Sequence, residues 1–239
     1  MSFSRVLPDP DYPIDASGQL DLEKEAPGIV SCSLSTTFKF QREDTIGGRT
    51  ILKVKERPNW AISMKYNPLT KEQFLPVYSF LMEKKGSKKS FYVSLPQYKG
   101  PKDFDNFETF NASYVIDVSS AVDANKSMME VGSSGWNGGY SWLPKIGDMF
   151  NIVDSSDSLH TQAYMVTKVE TYDEYENQPA TSSRINLHFT PSLARQVPAG
   201  ALINFDAPLF RVKQIKDIQE YSLDTEDLYE FSVQFEETA

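Results

Sequence analysis

The residues that could do chemistry in this 239-residue chain are few and scattered. It holds two histidines, His160 and His188, and one cysteine, Cys32. No carboxylates stand near either histidine at a spacing that suggests a shared metal, so the ligand patterns of zinc or other transition metals are not met. Gly132-Ser133-Ser134-Gly135 places serines between glycines. It is not followed by a helical pattern, so it lacks the strand–turn–helix context of a nucleophile elbow. Phosphate-cradling and dinucleotide glycine motifs are absent. Carboxylates cluster in TYDEYE (Asp173, Glu174, Glu176) and SLDTEDLYE (Asp224, Glu226, Asp227). Glycoside hydrolysis needs two carboxylates held a few ångströms apart in a cleft. Acidic runs in loops are far more often solvated. We therefore expect no catalytic residue, no metal and no cofactor.

Two groups suit contact rather than catalysis. Lys84, Lys85, Lys88 and Lys89 form the run KKGSKK, a basic knob on a chain of formal charge −9. As a solvated helix end it needs no explanation. As a charge-matched contact it would steer assembly and fix register. Trp136, Tyr140 and Trp142 lie close together in a glycine-rich stretch. Such a cluster can plug a loop, anchor an interface or form a sugar platform. The seven residues are the candidate interface set.

The elements that must position them follow from periodicity. Trp60, Ile62, Met64 and Tyr66 alternate with smaller or polar residues and predict a strand with one apolar face. Asn67-Pro68 ends it. Thr70 and Gln73 have capping-box spacing, and Phe74, Val77, Tyr78 and Leu81 fall on one helical stripe. Lys84 and Lys85 suit the negative end of that helix, and Gly86 suits a left-handed C-terminal turn. Pro76 lies inside the stripe and predicts a kink or a late start. Ser90 to Leu95 resumes as a strand. Leu209 to Ile215 and Leu228 to Phe235 read as later strands, the last with alternating Tyr229, Phe231, Val233 and Phe235.

The composition sets bounds. The negative charge argues against non-specific nucleic-acid binding. No apolar run approaches the roughly 18 residues of a membrane span. The N-terminus lacks a signal-peptide pattern and reads as that of a protein made and kept in a cytoplasm. A single cysteine excludes an intrachain disulfide. Aromatic content of 13% favours strands and contact surfaces.

The expected architecture is mainly β with one short packed helix. Residues 1–28, rich in Pro and Asp, read as an extended N-terminal arm. Residues 29–126 and 208–239 read as a β-sandwich or split barrel. Residues 127–207 carry several short strands and read as an inserted small β-barrel. The connection after Leu95 reads as long and polar.

The run W-x-I-x-M-x-Y, followed by a helix ending FLMEKKGSKKSFYVSLP, resembles bacteriophage tail-tip proteins, the distal tail and minor tail proteins. The matching positions are Trp60, Pro76, Phe80, Leu81, Gly86 and Phe91. Later stretches are similar too: LPKIGDMFNI with Gly147 and Asp148, AYMVTKV with Tyr164, Val166 and Thr167, HFTPSLARQVPAGALINF with Pro191, Leu193 and Gly200, and APLFRV with Pro208, Phe210 and Arg211. DLYEFSVQFEE closes the match, which spans residues 29–238. The resemblance implies a subunit of a ring, usually six-fold, joining the tail tube to hub and baseplate wedge proteins. It implies a place in the virion, with assembly in the host cytoplasm. Some such proteins carry an extra domain that binds host sugars, so the alternative expectation is a carbohydrate-binding host-recognition module.

Overall fold

The structure, a computed structural model, describes residues 5–8, 28–36, 39–44, 47–56, 58–137, 139–155, 157, 160–173, 179, 181–216, 221–224 and 226–238. Most of the expected N-terminal arm, and Glu174 and Glu176 of the acidic loop, lie outside these residues.

In chain order the strands are β1 (Ile29–Thr36), β2 (Lys39–Asp44), β3 (Thr50–Glu56) and β4 (Trp60–Tyr66). The helix α1 (Lys71–Lys84), β5 (Phe91–Ser94) and a second helix, α2 (Phe104–Asn111), follow. Next come β6 (Ile116–Val118), β7 (Met128–Gly132), β8 (Met149–Val153), β9 (Ala163–Glu170), β10 (Arg184–Thr190) and β11 (Leu202–Asn204). The chain closes with β12 (Leu209–Gln214), β13 (Tyr221–Leu223) and β14 (Tyr229–Glu237).

The chain divides into two compact units, one of residues 1–96 with 211–238 and one of 97–210. The fold is mainly β, as its alternating patterns predict. The first unit is built on one curled five-stranded sheet in the order β1-β4-β14-β12-β5, with β13 added to β14 and β2-β3 forming a separate pair. The second unit is a closed six-stranded barrel, β10-β7-β6-β11-β8-β9. The sequence reading began the insertion at 127, whereas the barrel also takes up β6.

The first sheet forms where apolar alternation is strongest. Trp60, Ile62, Met64 and Tyr66 of β4 are all buried, as are Phe231, Val233 and Phe235 of β14. The strands pair antiparallel, with Met64 opposite Val233 and Ile62 opposite Phe235. α1 lays Phe74, Val77, Phe80 and Leu81 into this core. The Phe74 ring stacks on Tyr229 at 4.5 Å between centroids, and Phe80 meets Phe91 edge-on at 5.3 Å. Buried Gln214 of β12 donates from Nε2 to the Leu81 carbonyl at 3.0 Å.

α1 starts at Lys71, so Pro76 does not delay it. Gln73 Oε1 accepts from the Thr70 N–H at 3.0 Å, one half of the expected capping box. The left-handed exit involves two residues, Lys85 at φ 55° and Gly86 at φ 64°. Of the N-terminal arm, Val6 bridges Tyr92 of β5 in parallel, Leu7 N–H donates to Tyr92 O at 2.8 Å, and Leu7 is buried.

One expectation is corrected. There are two short helices rather than one, because α2 occupies part of the connection read as long and polar. Its Phe107 and Phe110 are one turn apart and buried in the barrel's core. Polar neighbours on both sides hide that short stripe in the sequence. Among the described residues, no helix is long and apolar enough to cross a membrane.

Candidate functional site

The four lysines of the basic knob have different environments. Lys84 ends α1 and is buried, its Nζ 2.7 Å from Glu83 Oε2 and 4.3 Å from the centre of the Phe80 ring. Lys89 reaches the other Glu83 oxygen at 3.2 Å. These two ammonium groups hold the Glu83 carboxyl below its ordinary range, Lys84 contributing most. Lys85 and Lys88 are exposed, and among the described residues neither makes an ion pair. The outward charge of the knob therefore rests on Lys85 and Lys88.

The aromatic group is brought together, but inward. Trp136 has no exposed surface and Trp142 almost none. Trp136 Nε1 donates to the Trp142 carbonyl at 2.8 Å. Trp142 packs on Phe107 and Phe205, and Trp136 stacks on Phe110. Tyr140 is half-buried, and its hydroxyl donates to Arg184 O at 3.3 Å while lying 3.3 Å from the Tyr172 N–H. The burial of Trp136 and Trp142 fits the plug reading of this cluster: a partner or a sugar needs an open ring face, and these rings spend theirs on α2 and the barrel. Their glycine-rich setting lets the chain fold back tightly enough to bury both indoles.

The remaining candidates for chemistry are tied into the fold. His160 is buried, with Nε2 2.9 Å from the Tyr164 hydroxyl. Burial pushes its pKa below the ordinary histidine value, opposed by Asp157 and Asp154 and reinforced by Arg195. His188 Nε2 stands 3.3 Å from Glu170 Oε1, and Lys168 Nζ stands 2.5 Å from the same atom. Lys168 leads in lowering the Glu170 pKa, with smaller help from His188 and Asn186. The two histidines do not share a site. Asp224 Oδ1 accepts from the Glu226 and Leu228 N–H groups at 2.8 and 2.9 Å, so it shapes a turn. Ser133 Oγ accepts from the Gly135 N–H at 3.3 Å. Among the described residues, no three His, Cys, Asp or Glu side chains converge as a metal site would require.

One buried carboxylate matters structurally beyond what its sequence context suggests. Asp148 accepts from Lys102 N–H at 2.9 Å and Lys145 N–H at 2.7 Å, and so ties the α2 approach to the loop before β8. Gly147-Asp148 is readable as a strand lead-in, but the donor Lys102 comes from a distant loop and leaves no local signature. The described geometry therefore offers surface charge and strand edges for contact, with His160, His188, Asp148, Glu170 and Asp224 held in contacts within the fold. No protein-family model matches the chain, and a search of curated proteins finds no match.

Proposed function

We propose that this protein is a structural, non-catalytic ring subunit of a phage tail tip or baseplate. In this reading its copies form a ring, six-fold in the commonest case, that joins the tail tube to hub and baseplate wedge proteins in the virion. The order and spacing of the motifs across residues 29–238 suggest it. The observation that carries it is the pair of exposed, unbridged cations Lys85 and Lys88 on a chain of charge −9. Such a knob sits naturally against an acidic neighbour, and every other copy of this chain carries the same net charge of −9. A heterologous contact of that kind closes into a ring when its rotation permits.

Sedimentation and negative-stain electron microscopy of the purified full chain test the reading. Rings, or capture by the tube or hub proteins of the same particle, support it. A chain that stays monomeric at high concentration and captures none of them removes it. The sugar-binding alternative on Trp136, Tyr140 and Trp142 has no such support, since the two indoles are buried.

A further inference from the structure

His160 stands where two ties on one short segment meet. The segment is residues 193–195, which follow β10 within the barrel unit. Its Leu193 has no exposed surface. One tie is a hydrogen bond: the Ala194 N–H donates to the Tyr164 hydroxyl at 3.4 Å. The other is ionic: Arg195 Nη1 lies 3.0 Å from Asp157 Oδ2. His160 touches the partner of each. Its Nε2 is 2.9 Å from the same Tyr164 hydroxyl, and its backbone N–H donates to the Asp157 carbonyl at 3.1 Å.

The imidazole is buried, and its Nδ1 makes no hydrogen bond. Whichever tautomer the neutral form adopts, an imidazolium carries an N–H at both nitrogens. A protonated His160 therefore needs an acceptor at Nδ1, because a buried N–H without one is costly. The titratable and charged groups around it are Asp157 and Asp154 from the loop after β8, Arg195 from the segment itself and Tyr164 from β9. The two acids favour the charged form and Arg195 opposes it. Asp157 can change partner at small cost, since its side chain and that of Arg195 keep 28% and 45% of their exposure. The next two residues add to the tension of the neutral state. Thr161 Oγ1 and both polar atoms of the Gln162 side chain are also buried without a hydrogen bond.

We propose that His160 is an acid-operated latch: on protonation its Nδ1–H takes the Asp157 carboxylate from Arg195, and residues 193–195 loosen from the barrel. The proton comes from solvent and stays on the imidazole, so only hydrogen bonds and one ion pair change hands. Nε2–H then donates to the Tyr164 hydroxyl. The exchange belongs below the ordinary histidine value, because burial keeps His160 neutral above it. The latch lies wholly within the barrel unit and does not depend on the assembly reading.

The experiment is an NMR titration of the full chain between about pH 7.5 and 4.5, either side of the ordinary histidine value. It follows both histidine side chains, the Arg195 Nε–H and the Ala194 amide. The Arg195 signal should move with the midpoint of His160 and not with that of His188. Protection of the Ala194 amide against hydrogen exchange should fall roughly fivefold across the same midpoint. In Asp157→Asn the His160 midpoint should move down, and the Arg195 signal should cease to follow it. In His160→Gln both responses should vanish. Arg195 and Ala194 signals that stay fixed while His160 titrates would overturn the proposal. So would an unmoved or raised His160 midpoint in Asp157→Asn, the same responses in His160→Gln, or global unfolding before His160 takes up its proton.

Discussion

Trp136 and Lys88 were alike as candidate contact residues, yet their surroundings set opposite expectations. Truncating Trp136 to Ala deletes a fully buried indole and its hydrogen bond to Trp142 O, so it should lower the unfolding free energy by about 3–5 kcal/mol. Lys88→Ala removes an exposed, unbridged cation and should change it by less than about 0.5 kcal/mol. Urea denaturation followed by circular dichroism separates the two, and equal effects would refute the core assignment. The sequence shows that the aromatics are close together but not that they are buried, because their cover, Phe107 and Phe110, comes from α2. His160 gives a pH-dependent expectation. The fold holds it neutral, with a pKa below the ordinary 6.5. As pH falls through 6.5, the unfolded chain takes up a proton that the folded chain refuses. Stability is therefore fully present above that value and declines below it, until pH reaches the depressed folded value. Between about pH 7.5 and 5, a range that brackets the ordinary histidine value, the melting temperature of His160→Gln should fall less than that of the unmodified protein. Parallel profiles would place the titrating group elsewhere.

Among the elements, α1 was legible at both ends and α2 was not. The difference is one of local information. α1 announces itself with Thr70 and Gln73, a four-residue apolar stripe and a glycine exit, all within its own sequence. α2 has eight residues and two buried phenylalanines, too short a stripe to stand out from a polar loop. β4 and β14 were legible because each alternates over most of its length. What could not be read is which strands meet, since β4 lies between β1 and β14 and those pairings are set by distant parts of the chain. The cap at Thr70 is testable. Thr70→Ala removes a hydroxyl that donates to Gln73 Oε1 at 3.1 Å and frees Gln73 from its cap geometry. It should destabilise the first unit by about 1 kcal/mol. Hydrogen exchange should show faster opening of amides in the first turn of α1, with amides of β9 and β10 unaffected. An equal increase in both units would mean that the substitution acts through something other than the cap.

At the scale of the whole molecule, the composition constrains association more than fold. A net charge of −9 makes copies repel at long range, so any ring must be held by local contacts that overcome this repulsion. In the proposed ring Lys85 and Lys88 would supply one such contact, while Lys84 and Lys89 are already engaged by Glu83. In the proposed ring, replacing Lys85 and Lys88 together by Glu would turn an attraction into a repulsion at every interface. An exposed pair contributes up to about 1 kcal/mol, so the double reversal should cost about 1–2 kcal/mol per contact, roughly 5–30-fold in each association step. Closing the proposed ring would repeat that cost around the circle, so the variant should fail to assemble at concentrations at which the unmodified chain is expected to form rings. Neither lysine packs in the core, so the melting temperature of the separated chain should hold. Salt provides the independent check: at about 1 M the screening length shrinks to about 3 Å, which should weaken assembly of the unmodified chain and partly rescue the variant. Rings that form equally well in both chains at both salt concentrations would show that the basic knob takes no part in their contacts.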